Sequence, residues 1–521
     1  MRLIGWLDKL RKILNSMMLG VLMLVLMMWG LYQLNNSPSS ITLDNGSRLQ
    51  WVPCWFNIHT KTRCAYFFPK DGHAKIQIPV VMIKSHHPSK QHTPLLYLAG
   101  GPGYPTGLEV EDMEEWEEWY KEKHLPYDLV LFDQRGTGQG YPQLHCPQVV
   151  SLLRTVVDQP LSRRQIFTLL QPVIEQCYHT FVEKGISLSN YNTSASSQDV
   201  LDLMELLGHN IQWNLYGISY GTRLALDILR THPQKIRSAI LDSVYPPEKQ
   251  DLLETPFLYQ HALSTLFDGC KKDLACRKAF PNLEDKFFEL LEQLHQTPHT
   301  MVVTDPDSGF PLKISVTDEN LVETIFLSLY DTHLIPLIPK AIYSVLQGRE
   351  EAMTPLLQEY VEVLFDAQLS EGTYFSVECH DNGKVTREQF SNRVAQYPKL
   401  KRLFEDFWDT WFCHLWKVGD AGERFRQPVT STVPTLFLAG TYDPITPAVW
   451  THTASSRFSN GYFFEFPVGH GVFDTNACAA RLVQDFLQSP HHKPYRDCLK
   501  QIEGPKFVVN VSEQRSINGD I

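Results

Sequence analysis

The chain has 521 residues, 43% hydrophobic and 12% aromatic, enough for a sizeable core and more than one domain, and this composition excludes a disordered chain. Its formal net charge of −11, with no Lys/Arg-rich block, excludes nucleic acid as a partner. No pair among its ten cysteines has CxxC spacing, which argues against a metal, and no cofactor is expected.

In chain order, Arg2, Lys9, Arg11 and Lys12 come first, ahead of an uncharged run from Met17 to Tyr32. A basic head before an apolar run of this length is a signal peptide or a membrane anchor. The polar linker QLNNSPSS follows in place of a small-x-small cleavage site. Residues 1–33 therefore read as an uncleaved anchor, with a cleaved signal as the alternative. The basic residues would stay in the cytoplasm and the rest of the chain would face outward, on the periplasmic or extracellular side. An even number of cysteines fits that export as disulfides, although sequence alone does not fix connectivity. Pairing neighbours along the chain gives Cys54–Cys64, Cys146–Cys177, Cys270–Cys276, Cys379–Cys413 and Cys478–Cys498.

Residues 34–245 carry continuous apolar runs of strand length: PLLYLAG (94–100), YDLVLFD (127–133), WNLYG (213–217) and SAILDS (238–243). PTLFLAG (434–440) and GYFFEFP (461–467) resume the pattern within 431–500. Such runs indicate strands buried on both faces, and the helix-like stretches between them, such as SQDVLDLMELLGH, make the class α/β. Between them, residues 246–430 are rich in helix-like and aromatic stretches, among them LEDKFFELLEQLH, NLVETIFLSLYD and LKRLFEDFWDTWFCHLW. This inserted region reads as a mainly helical cap. Residues 501–521 are a tail without assignment.

The chemistry centres on NLYGISYGTRLALDIL, where a strand-like run meets GxSxG and a helix-like run leaves it. A lone GxSxG is weak evidence, but strand before and helix after is the context of a nucleophile elbow, which makes Ser219 the candidate nucleophile. A hydroxyl needs a base. Among 20 histidines, His470 in PVGHGVF follows the last expected strand, where glycines let a loop reach over the sheet. The base in turn needs a partner that fixes its tautomer, and Asp443 in FLAGTYDPITP lies just past the preceding strand. Asp474, beside His470, is a weaker competitor to which helix capping is better suited. The order Ser, Asp, His is that of α/β-hydrolases. Two N–H donors should face the developing oxyanion: the backbone of Tyr220, and Gly101 in LAGGPGYP, where Pro102 stiffens the loop.

The segments GGPG, FDQRGTGQG, GISYGT, AGTYDPITP and GHGV resemble the proline iminopeptidase and tripeptidyl aminopeptidase family of α/β-hydrolases, from about Trp51 to Cys498. The resemblance implies an α/β-hydrolase fold with an inserted cap, and a serine exopeptidase acting at the free N-terminus of short peptides. VECHDN (377–382), followed by Cys413, is similar to the cysteine-containing cap segment of the tripeptidyl branch. Proline iminopeptidases carry histidine before GGPG, whereas Ala99 stands here, which favours the tripeptidyl branch. An exopeptidase must also bind the substrate ammonium, for which Glu378 and Asp381 are candidates by position. The acidic run Glu109 to Lys123 reads as a solvated helix face. The alternatives are an esterase or amidase with the same triad, and a catalytically silent binding protein on the same scaffold. The sequence leaves the oligomeric state open.

Overall fold

The computed structural model of the protein describes residues 40–70, 76–85, 93–208 and 211–509. The expected anchor, Met17 to Tyr32, lies outside them. Among the described residues no helix is long and apolar enough to cross a membrane.

The strands in chain order are β1 (Ser40–Thr42), β2 (Arg48–Val52), β3 (Thr62–Phe68), β4 (Ile78–Ile83), β5 (Leu95–Leu98) and β6 (Leu129–Phe132). After them come β7 (Trp213–Ile218), β8 (Ile236–Asp242), β9 (His299–Thr304), β10 (Pro311–Val316), β11 (Thr435–Gly440) and β12 (Gly461–Phe466). Among the described residues ten of these form one sheet, ordered β1-β2-β3-β4-β6-β5-β7-β8-β11-β12, while β9 and β10 form a separate hairpin. From β6 to β12 the sheet neighbours are parallel, whereas β1 to β4 pair antiparallel and β4 meets β6 antiparallel.

All six apolar runs are strands of this sheet, five of them in its parallel part flanked on both sides by neighbours. Successive side chains enter different cores: Leu129, Leu131, Tyr216 and Ile240 pack on one face, Val130, Phe132, Leu215 and Leu241 on the other. That double burial explains why these runs are continuously apolar. Helices cover both faces, as in the α/β-hydrolase fold. The antiparallel strands carried no such signal. Pro79 lies inside β4, and a proline within a run ordinarily argues against a central strand.

Between β8 and β11 the chain is mostly helical, and its helices share a core of their own around Phe287, Leu290, Leu321, Ile325, Ile342 and Leu356. Two features depart from the sequence reading. The β9–β10 hairpin lies in this region, and LKRLFEDFWDTWFCHLW is α-helical only over Lys401–Phe404. Aromatic side chains favour helix weakly, and here they pack on one another, Trp411 on Phe412 with centroids 4.4 Å apart. Helix Glu371–Asp381 packs partly with the sheet core, through Phe375 and Cys379. The tail segment, unassigned from sequence, runs back to the cap: Phe507 is buried there and Val508 N–H donates to Pro336 O at 3.0 Å.

The ten cysteines form Cys54–Cys64, Cys146–Cys177, Cys270–Cys276, Cys379–Cys413 and Cys478–Cys498, leaving no free thiol. Five disulfides in one chain fit an extracellular or periplasmic compartment.

Candidate active site

β7 ends at Ile218 and a helix, Tyr220–Thr231, begins immediately after Ser219, which sits at φ 55° and ψ −125°. A non-glycine residue there is strained, by of order 1–3 kcal/mol, and persists only where its surroundings dictate it. The flanking glycines are dictated by contact. A Cβ on Gly221 would lie 1.9 Å from the Leu98 carbonyl oxygen, and one on Gly217 would lie 2.6 Å from that of Gly221. The helix therefore starts hard against β5, and the turn lifts Ser219 out of the strand.

His470 and Asp443 come together from the ends of β12 and β11. His470 Nδ1 is 2.9 Å from Asp443 Oδ2, and both side chains are largely buried. The Ile445 and Thr446 N–H groups donate to Asp443 Oδ1 at 3.1 and 2.9 Å, and the Thr446 hydroxyl donates to Oδ2 at 2.7 Å. These bonds fix the carboxylate plane. Burial pushes the His470 pKa down, but the Asp443 charge and hydrogen bond outweigh it, and the net shift is upward. From the cap, the Tyr330 ring packs on the imidazole with centroids 5.1 Å apart. The described hydrogen bonds include none between Ser219 Oγ and His470, a contact that in unliganded hydrolases often closes only with substrate. Asp242 joins the two instead: its carbonyl accepts the Ser219 N–H at 2.9 Å, and its carboxylate holds the loop after His470.

The expected oxyanion loop lies against Ser219. A Cβ on Gly100 would stand 3.2 Å from Ser219 Cβ, and Gly101 adopts φ 108°, open chiefly to glycine. Tyr220 is the first residue of its helix, so its N–H has no intrahelical partner. The DQRGTG segment braces this loop from behind. Gln134 Nε2 donates to Ala99 O at 3.1 Å, and buried Asp133 accepts the Thr106 and Gln139 N–H groups at 2.9 and 3.0 Å. A Cβ on Gly138 would fall 2.2 Å from Asp133 Oδ2, which accounts for a glycine at that position. Arg135 closes a buried bidentate pair with Asp199, at 2.7 and 2.6 Å.

Glu378 and Asp381 are both buried but differ in surroundings. Asp381 is occupied by the Thr193 N–H at 3.3 Å and by His380 Nδ1 at 2.9 Å. Glu378 accepts from Asn382 Nδ2 and, at 3.4 Å, from the Tyr245 hydroxyl, while Tyr245 N–H donates to Thr222 Oγ1 on the helix that follows Ser219. Asp251, which no motif singled out, is near enough for its charge to act on Glu378. Burial raises the pKa of both; Asp251 raises Glu378 further, and Arg223 opposes the shift at each. No described donor reaches the Asp251 carboxylate. Tyr374, from the Glu378 helix, reaches the oxyanion loop, where a Cβ on Gly103 would lie 3.1 Å from Tyr374 Cβ.

Asp474 does not cap its short helix, Val472–Thr475; it accepts from Trp119 Nε1 at 2.6 Å and pairs with Lys123 at 3.8 Å. The acidic run is a helix, Asp112–Glu122, with Glu114, Glu115 and Glu118 exposed and Glu117 buried on the Thr60 N–H at 2.6 Å.

Residues 401–498 match the family model described as TAP-like protein. The chain has the α/β-hydrolase fold, and its TAP-like residues run from the end of the cap region through the second core segment. It is 26% identical over 440 residues to the putative hydrolase YuaR of Escherichia coli, covering 79% of this chain and 82% of that protein. To the serine protease Hip1 of Mycobacterium tuberculosis it is 22% identical, over 67% of this chain and 69% of that one. To the tripeptidyl aminopeptidase of Streptomyces lividans it is 25% identical, over 47% of each. These relatives agree with the family resemblance carried by the motifs.

Proposed function

We propose that the protein is an exported serine exopeptidase that hydrolyses peptide bonds near the free N-terminus of short peptides. The observation that carries this reading is the His470–Asp443 pair together with the strained Ser219, and Tyr245 links the buried acid Glu378 to the helix that follows Ser219. Ser219 Oγ attacks the scissile carbonyl while His470 Nε2 takes its proton and then hands it to the departing amine. Asp443 holds the tautomer and stabilises the imidazolium. The Tyr220 and Gly101 N–H groups receive the oxyanion, and water repeats the cycle on the acyl-enzyme. The relatives named as a serine protease and a tripeptidyl aminopeptidase support peptide substrates.

Burial holds both carboxyls short of charge, and Asp251 raises Glu378 further, so an ammonium, whose single positive charge favours the ionised form of its partner, is suited to this pair. We assign amine capture to Glu378, from the sequence reading, joined by Asp251. Asp381, with its oxygens already bonded, sits beside them. The segment Met17 to Tyr32 would tether the enzyme to the membrane or be cleaved on export.

The test uses a fluorogenic tripeptidyl amide with a free or an acetylated N-terminus. Wild-type enzyme should cleave the acetylated form at least about 100-fold more slowly. Glu378→Gln should raise KM for the free form about tenfold, roughly 1.4 kcal/mol, and leave the acetylated form unchanged. Equal rates on both forms would contradict exopeptidase action and favour an esterase or amidase.

A further inference from the structure

Five successive backbone N–H groups around His470 are each held by a different atom of a distant element. Gly469 donates to Thr332 Oγ1 at 3.1 Å and His470 to Tyr330 O at 3.0 Å, both in the cap region. Gly471 donates to Ser243 Oγ at 3.1 Å, Val472 to Asp242 Oδ1 at 3.0 Å and Phe473 to Asp242 Oδ2 at 2.8 Å. Val472 and Phe473 open a one-turn helix whose own N-cap, Gly471, has no side chain, so its first N–H groups need an acceptor from elsewhere. The Asp242 carboxylate, at the end of β8, supplies it. On its other side, the Asp242 carbonyl takes the Ser219 N–H at 2.9 Å. One residue thus touches the backbone of the proposed nucleophile and the loop of the proposed base.

The rest of that corner is costly for a fold alone. Asp242 has no solvent exposure, and its described partners are N–H groups and the Ser243 hydroxyl. Burying a carboxylate without a counter-cation is expensive. Ser243 sits at φ 58°, a strained position for a residue with a side chain, and it is this hydroxyl that receives Gly471 N–H. A buried carboxyl and a strained backbone at adjacent residues mark a place where local rules yield to function.

We propose that Asp242, seconded by Ser243, is a positioning residue that sets the spacing between Ser219 and the His470 ring. It touches no reacting atom and acts through the two loops it joins. The inference rests on the Ser219–His470 reading above. Displacing a catalytic group by about 1 Å costs on the order of 100-fold in rate.

The experiment compares wild type, Asp242→Asn and Ser243→Ala in the full chain. Active sites are titrated with a fluorophosphonate, and its labelling rate is measured beside kcat and KM on a free-N-terminus tripeptidyl amide. In Asp242→Asn one amide oxygen still accepts, but the NH2 group faces the other N–H. Per titrated site, kcat and the labelling rate should fall together by about 10- to 100-fold, with KM within about threefold. Ser243→Ala, which removes one acceptor, should lose about three- to tenfold in kcat at unchanged KM, and decides the matter if Asp242→Asn does not fold. If both variants merely lose thermal stability or titratable sites, while each remaining site turns over and labels at the wild-type rate, the positioning role is overturned. A wild type that is not labelled at Ser219 would overturn the Ser219 reading itself; a labelled wild type matched by both variants would overturn this inference alone.

Discussion

Ser219 and His470 each depend on neighbours that set their chemistry. For His470, burial favours the neutral ring, and Asp443 overrides burial to favour the charged one. A raised pKa means the ring loses its proton, and in the proposed mechanism can accept that of Ser219, only at higher pH. The acid limb of kcat/KM should therefore lie above 6.5, the ordinary histidine value. Asp443→Asn removes the main raising influence and leaves burial opposed only by the lesser pull of Asp242, so the limb should move to lower pH while kcat falls by on the order of 10⁴-fold. A pH–rate profile of the two enzymes checks both, and a limb that stays in place would remove Asp443 from the role. Ser219, Asp443 and His470 could be singled out as candidates because each sits in a short motif at a strand end. Asp242 and Asp251 could not, since their partners, Val472 and Glu378, lie far along the chain and no local spacing marks them.

Strand β7, the Ser219 turn and the helix after it form one mechanical element, and glycine at position 221 is what lets that helix begin against β5. Gly221→Ala would press a methyl group on a backbone oxygen that cannot move without distorting the sheet. We expect a loss of about 3 kcal/mol or more, read as a lower urea midpoint, with little residual labelling of Ser219. A variant with wild-type stability would show that the helix start has room to shift. At this scale the parallel strands were readable because burial on both faces writes an uninterrupted apolar run. Strands β1 to β4 were hidden by Pro79 and by partly exposed positions in β2 and β3. The aromatic stretch after Lys401 misled in the other direction, because apolar spacing fits a helix as well as it fits a packed irregular segment.

Across the whole molecule the cap region and the sheet core are interlocked, not merely adjacent. Cap residues Tyr330 and Thr332 hold the His470 loop, helix Glu371–Asp381 reaches from the sheet core to the oxyanion loop, and the tail returns through Phe507 to the cap. None of this docking has a local signature, so the sequence could mark a helical insertion but not how it bears on the site. In the proposed mechanism Ser219, Asp443 and His470, drawn from three separated segments, make one hydrolytic centre. The most direct measurement is fluorophosphonate labelling followed by peptide mapping, with peptide-amide turnover by wild type and Ser219→Ala assayed alongside. We predict a single label on Ser219 and a loss of turnover on the order of 10⁵-fold or more in the variant. A label on another residue, or undiminished turnover by Ser219→Ala, would contradict it.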